Sequence, residues 1–139
     1  MEPTDLAFEN IQVGGRAAFT RSFTQEDLQT FVRVSGDANP LHTNRAYAQN
    51  TRFKKPIVHG MLVGALCSTL VGMHLPGRRC LYLRQTLSFK QPVYVGDVLR
   101  VEGVVTEKVE STHMLSIAIS IRHEDTLVLE GVATVQVLS

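Results

Sequence analysis

Asp37 and His42 are a carboxylate and an imidazole five positions apart, in the run Ser35-Gly36-Asp37-Ala38-Asn39-Pro40-Leu41-His42. Neighbours on one face of a regular helix are three or four positions apart, so this spacing does not suit a helix face. Asn39-Pro40 also breaks a helix, because the residue before a proline is driven out of the helical region. A bent loop can then bring both side chains onto one water molecule, as a general base and a general acid. The same residue types also serve structure, since an Asp caps a turn and a His packs in a loop. Gly36, Asn39 and Pro40 favour the chemical reading, because they fix a backbone that a merely structural histidine does not need.

A second group follows at Ile57-Val58-His59-Gly60-Met61, where an apolar stretch begins. Backbone N–H groups at a helix N-terminus are unpaired and carry the positive end of the helix dipole. A glycine there lets a ligand approach the backbone, which suits a carbonyl oxygen that becomes negative during reaction. The structural alternative stays open: Gly60 as a helix-start residue and His59 as a cap. The five histidines, at 42, 59, 74, 113 and 123, show no HxxxH spacing, and the two cysteines form no CxxC. No metal is expected on that ground. Cys67 and Ser68 lack a nucleophile-elbow context, and no GxGxxG or Walker motif is present.

The elements that must position these groups can be read along the chain. Residues 17–23 read as a short strand after the Gly14-Gly15 turn. Thr24-Gln25-Glu26-Asp27 is a capping signature, with Leu28, Phe31 and Val32 at helical spacing up to Ser35-Gly36. Residues 44–49 suggest one further helical turn. From Gly60 to about residue 73 apolar residues surround the helix on all sides, so it must be covered on most of them. Gly60, Gly64 and Gly72 along it suggest a close-approaching neighbour backbone. Residues 81–83, 86–89, 98–109, 113–123 and 126–138 read as strands, and Ser116-Ile117-Ala118-Ile119-Ser120-Ile121 alternates strictly. Hairpin turns are expected at 110–112 and 124–125. One long apolar helix and an antiparallel sheet predict an α+β fold in which the sheet wraps the helix.

The chain has 139 residues, and one domain over 1–139 is expected. Fourteen Lys and Arg against thirteen Asp and Glu, with no Trp, give no basic run and no stacking platform, so nucleic acid is not an expected partner. Two thiols are too few for a disulfide scaffold, which points to a reducing compartment. Residues 1–10 hold no secretory signal, and the expected location is the cytoplasm. Residues 57–75 carry no charge, but Pro56, His59, His74 and three glycines make this a buried core helix and not a membrane span.

The run from Phe31 to His42, with Ala46 and Ala48 after it, resembles the signature of the MaoC-like, or R-specific enoyl-CoA hydratase, branch of the hotdog superfamily. Arg52-Phe53, Pro56 to Met61, and Phe89-Lys90-Gln91-Pro92-Val93-Tyr94-Val95-Gly96-Asp97 match further elements of it. The resemblance implies a hotdog fold, an active site on a short overhang segment, and a homodimer. It implies that Asp37 activates water for attack on C3 of a trans-2-enoyl thioester. His42 would be its partner in holding the water and moving the proton. The backbone N–H of Gly60 would bind the thioester oxygen, and Asn39, Pro40 and His59 would position the site. The product would be an (R)-3-hydroxyacyl thioester on coenzyme A or acyl carrier protein, with no cofactor. Where many relatives have an Asp two residues after the motif's histidine, this chain has Asn44, which removes a charge near His42. Lys54-Lys55, in a stretch often Gly-rich in relatives, would either face the phosphates of coenzyme A or, as the stronger reading, form a solvated surface pair. The rival functions are a hotdog thioesterase and a non-catalytic acyl-thioester-binding module; Asp37 and His42 together favour hydration.

Overall fold

Each local signal produces its element at or near the expected place in the computed structural model, which describes all 139 residues. Helix α1 (Gln25–Ser35) opens on a reciprocal cap. The Thr24 hydroxyl accepts the Asp27 N–H, and the Asp27 carboxylate accepts the Thr24 N–H. It stops at Gly36, whose φ of 79° is a left-handed conformation that glycine adopts without a Cβ penalty. Two short helices follow, α2 (Pro40–Thr43) and α3 (Arg45–Gln49). Helix α4 (Gly60–Thr69) runs directly into a π-helical turn, Leu70–His74, so the apolar stretch is helical almost to its end.

The strands are β1 (Arg16–Arg21), β2 (Cys80–Gln85), β3 (Ser88–Phe89), β4 (Leu99–Val109), β5 (Met114–His123) and β6 (Thr126–Val137). They form one antiparallel sheet in the order β1-β4-β5-β6-β2, with β3 also beside β6. Of residues 86–89, only Ser88 and Phe89 join the sheet ladder as a strand; Thr86 instead bonds Val132 through its N–H and its hydroxyl.

Alternation decides which face of the sheet is buried. On β5 the side chains of Leu115, Ile117, Ile119 and Ile121 are buried, while Ser116, Ala118 and Ser120 point the other way. The buried set packs with Val63, Leu66 and Cys67 of α4 and with Leu70 and Val71 after it, in one core of 24 residues. The sheet therefore wraps the helix, as expected. No helix is long and apolar enough to cross a membrane. The helix glycines differ from expectation. A Cβ at Gly60 would meet the Phe89 ring and one at Gly64 would meet Leu87, so side chains and not a backbone approach these positions. Nothing lies near Gly72.

Candidate active site

The connection between α1 and α4 is a chain of local caps that brings Asp37 and His42 close together. The Asp37 N–H donates to the Ser35 hydroxyl at 3.1 Å, and its carboxylate Oδ1 accepts the Asn39 N–H at 3.1 Å. Asn39 in turn caps α2, its Oδ1 accepting the Leu41 N–H at 2.9 Å. Pro40 occupies the first turn, where a missing N–H costs nothing. The segment 37–41 was expected as an open bend; the proline instead starts a single helical turn, and that turn carries His42 back toward Asp37.

His42 is held from outside its own element. Its Nδ1 lies 2.8 Å from the Ile57 carbonyl, and the Ile57 N–H donates to the Leu41 carbonyl. A carbonyl can only accept, so Nδ1 carries the hydrogen and Nε2 of the neutral ring is a bare acceptor. One Asp37 carboxylate oxygen and one ring nitrogen from each of His42 and His59 lie within 4.8 Å of one another. The structure thus brings together Asp37, His42 and His59, with Asn39 and Pro40 shaping the loop between them.

His59 does not cap α4 through its side chain. It is only 1% exposed, and its Nε2 lies 3.0 Å from the backbone carbonyl of Asp37, to which it must donate. Its ring lies against that of His42 with centroids 3.9 Å apart and planes at 26°, and Phe31 lies against it at 4.8 Å. Its Nδ1 has no partner. Burial holds the ring below the usual histidine range, partly opposed by the hydrogen bond to Asp37, so the neutral form is favoured. One buried neutral imidazole therefore braces the backbone of Asp37 and the ring of His42. Lone pairs lie in the ring planes, so two stacked rings do not aim their nitrogens at a common point as metal chelation requires.

Gly60 is the first residue of α4, and its N–H has no acceptor within the helix. The Phe89 ring covers it closely: an added Cβ would lie 3.0 Å from the ring. A cleft of about 220 Å³ opens beside it, lined by Val63, Phe89, Val93 and Val128, with Arg52 and Lys90 as its cations. Ile57, whose carbonyl holds His42, lines the same cleft. Motif reading missed three contributors: the Ile57 carbonyl, Phe31 as the wall behind His59, and Phe89 over Gly60. The first was hidden because a backbone carbonyl has no residue-type signature. The other two contacts cross between distant parts of the chain. Cys67 is buried in α4, and burial lifts its thiol to about 11, so it stays protonated and inert.

An antiparallel sheet wrapped around an apolar helix, with Asp37, His42 and His59 gathered at the helix N-terminus, is a hotdog fold. Comparison with known proteins narrows that class. The family described as MaoC like domain matches residues 10–126, and the chain belongs to it. An (R)-specific enoyl-CoA hydratase of Aeromonas caviae is 44% identical over 101 residues, covering 73% of this chain and 75% of that one. Another, of Rhodospirillum rubrum, is 37% identical over 130 residues, covering 94% and 90%. The solved structure of an unliganded R-hydratase from Pseudomonas aeruginosa superposes with a TM-score of 0.92 at 39% identity, covering 99% of this chain and 88% of that one.

Proposed function

We propose that this chain reversibly adds water to trans-2-enoyl-CoA, giving (R)-3-hydroxyacyl-CoA, with Asp37 and His42 as its catalytic pair. The observation that carries this reading is the convergence of Asp37, His42 and His59 next to the unpaired N–H of Gly60. An Asp37 carboxylate and a neutral His42 ring offer only acceptors to a water: Oδ2 and Nε2. A water between them donates one O–H to each, so its lone pairs are free and one can face C3 of the substrate.

The chemistry then balances without a cofactor. The water oxygen bonds to C3 while one O–H breaks, its proton passing to Asp37. The π electrons of C2=C3 move onto the thioester, whose oxygen becomes an enolate and accepts the Gly60 N–H. The enolate re-forms the carbonyl as C2 takes a proton from the acid–base pair, and the site returns to its starting state. His42 holds the water and relays the proton, Asn39 and Pro40 set the loop, and His59 braces both catalytic groups. The apolar cleft beside Gly60 receives the thioester end of the substrate.

The working unit is a homodimer in this reading. Strand β2 is a sheet edge, bonded only to β6, and it carries Leu81 and Leu83, 44% and 50% exposed. An apolar open edge of this kind is a template for a second strand. The test of the activity is turnover of crotonyl-CoA followed by loss of the enoyl thioester absorbance, with chiral analysis of the product. Accumulation of (R)-3-hydroxybutyryl-CoA supports it; release of free coenzyme A in place of a hydroxyacyl thioester favours a thioesterase.

A further inference from the structure

Phe89 is a large apolar side chain that the core does not use. It is neither one of the 24 buried core residues nor one of the partly buried side chains packed on them, and it is 53% exposed. Exposure alone says little, since single apolar side chains are common on protein surfaces. The neighbour of this ring is what singles it out. Helix α4 starts at Gly60 with an ordinary backbone, because Gly60 is not among the glycines of positive φ. No turn therefore demands a glycine at that position. The ring does: the three atoms nearest a Cβ built on Gly60 all belong to Phe89, at 3.0, 3.1 and 3.5 Å. Phe89 thus sits on the Cα of the residue whose N–H opens the helix without an acceptor.

The backbone beneath the ring is fixed, and the ring itself is not. Phe89 pairs with Leu129 in the sheet ladder, and the next N–H, of Lys90, donates to the Val128 carbonyl at 2.9 Å. With the chain held on both sides of Cα, the half-exposed ring moves by side-chain rotation alone. Val63, Val93 and Val128 line the same cleft as Gly60 and Phe89, and no Asp or Glu lines it. Water at the Gly60 N–H would compete with a thioester oxygen for the donor. A donor walled by apolar groups keeps its full strength for an oxygen that becomes negative during reaction.

We propose that Phe89 is a positioning residue whose ring forms a hinged cover over the Gly60 N–H, keeping water off this donor and the thioester oxygen on it while the enolate forms. The inference rests on the hydratase reading, which puts the enolate oxygen at Gly60. The ring makes and breaks no bond; it acts through the N–H that it covers. A ring that only lined the cleft would hold substrate and transition state equally and would show in KM. A cover over the oxyanion donor acts on the charge that builds up in the transition state and shows in kcat.

The test compares the wild type with Phe89→Ala and Phe89→Leu in two measurements. The first is crotonyl-CoA turnover. The second is the infrared carbonyl band of bound butyryl-CoA carrying carbon-13 at its thioester carbon; this saturated thioester cannot be hydrated, so its band reports the hydrogen bond at Gly60. In the wild type the bound band should lie below that of free butyryl-CoA. In Phe89→Ala it should move back toward the free value, and kcat should fall about tenfold with KM nearly unchanged, less than the loss of the donor itself would cause. Phe89→Leu restores part of the apolar cover and should recover part of both effects. Both variants should stay folded by circular dichroism, because Phe89 lies outside the core; if Phe89→Ala does not, Phe89→Leu against the wild type decides. An unchanged kcat with an unchanged band overturns the proposal. A raised KM with kcat and band unchanged also overturns it and makes the ring an ordinary wall of the cleft. A wild type that does not hydrate crotonyl-CoA defeats the hydratase reading, and the butyryl-CoA band alone then decides whether Phe89 governs a carbonyl at Gly60.

Discussion

His59 touches both Asp37 and His42, and its two contributions can be separated by substitution. His59→Phe keeps an aromatic ring for His42 and Phe31 to pack on but removes the Nε2–H that donates to the Asp37 carbonyl at 3.0 Å. Losing one such bond costs about 1 kcal/mol net, and this is the low end of the range because Asp37 is exposed and its freed carbonyl can reach water. The substitution also removes Nδ1, a buried acceptor with no partner, whose desolvation costs a similar amount. The two terms oppose each other, so stability should change by no more than about 1 kcal/mol. Catalysis has no such compensation. Asp37 loses its backbone anchor, and a displacement on the order of 1 Å costs about a hundredfold in rate. The expected result is a kcat for crotonyl-CoA lowered roughly ten- to a hundredfold in a protein that unfolds at nearly the same denaturant concentration. His59→Gln is the complement: it can retain a donor toward Asp37 and loses the ring beside His42. The same ring sets a pH dependence. Its folded pKa is depressed, so near and below its unfolded value of about 6.5 the unfolded chain binds a proton that the folded chain does not. Wild-type stability should therefore fall as pH drops through that region, by up to about 1.4 kcal/mol per pH unit, and this contribution should vanish in His59→Phe. If kcat stays within twofold of wild type in both variants, His59 is only a core residue and the bracing argument is wrong.

Other substitutions test the remaining parts of the site. Gly60→Ala places a Cβ 3.0 Å from the half-exposed Phe89 ring, which can swing aside; circular dichroism and melting should be nearly unchanged, while kcat/KM falls about tenfold or more because the thioester oxygen is crowded off the N–H. A loss of folded structure instead would show that Gly60 serves packing. Asn39→Ala removes the cap of α2 and should lower stability by about 1 kcal/mol, measured by urea unfolding, with a larger fractional loss in kcat than in substrate affinity. Cys67, buried with its thiol raised to about 11, should resist iodoacetamide at pH 8 until denaturant is added; rapid labelling of Cys67 itself in the native protein, separated from the less buried Cys80 by peptide mapping, would contradict its place in the core.

Much of the fold was legible because its signals are local. The Thr24–Asp27 capping box, the Gly36 stop and the alternation through β5 each act within a few residues, and each produced its element. The long apolar helix announced itself by having no polar face, which only a wrapping sheet could satisfy. Asp37 and His42 were legible through residue type and the break between them. The features that escaped reading are long-range. Nothing in the local sequence says that Ile57 supplies a carbonyl to His42 fifteen residues earlier, or that His59 reaches back to Asp37 across twenty-two. Likewise, α2 is too short for periodicity to reveal, and only the Asn39 cap with Pro40 behind it marks its start.

In the proposed mechanism Asp37 and His42 together hold and deprotonate the water that attacks an enoyl thioester. The measurement that tests it most directly is the crotonyl-CoA hydration rate, with chiral analysis of the product, for the wild type beside folded Asp37→Asn and His42→Ala variants. The wild type should yield (R)-3-hydroxybutyryl-CoA, and each variant should lose roughly a hundredfold or more in rate. A wild type that leaves the enoyl thioester intact, or variants that hydrate it at the wild-type rate, would contradict it.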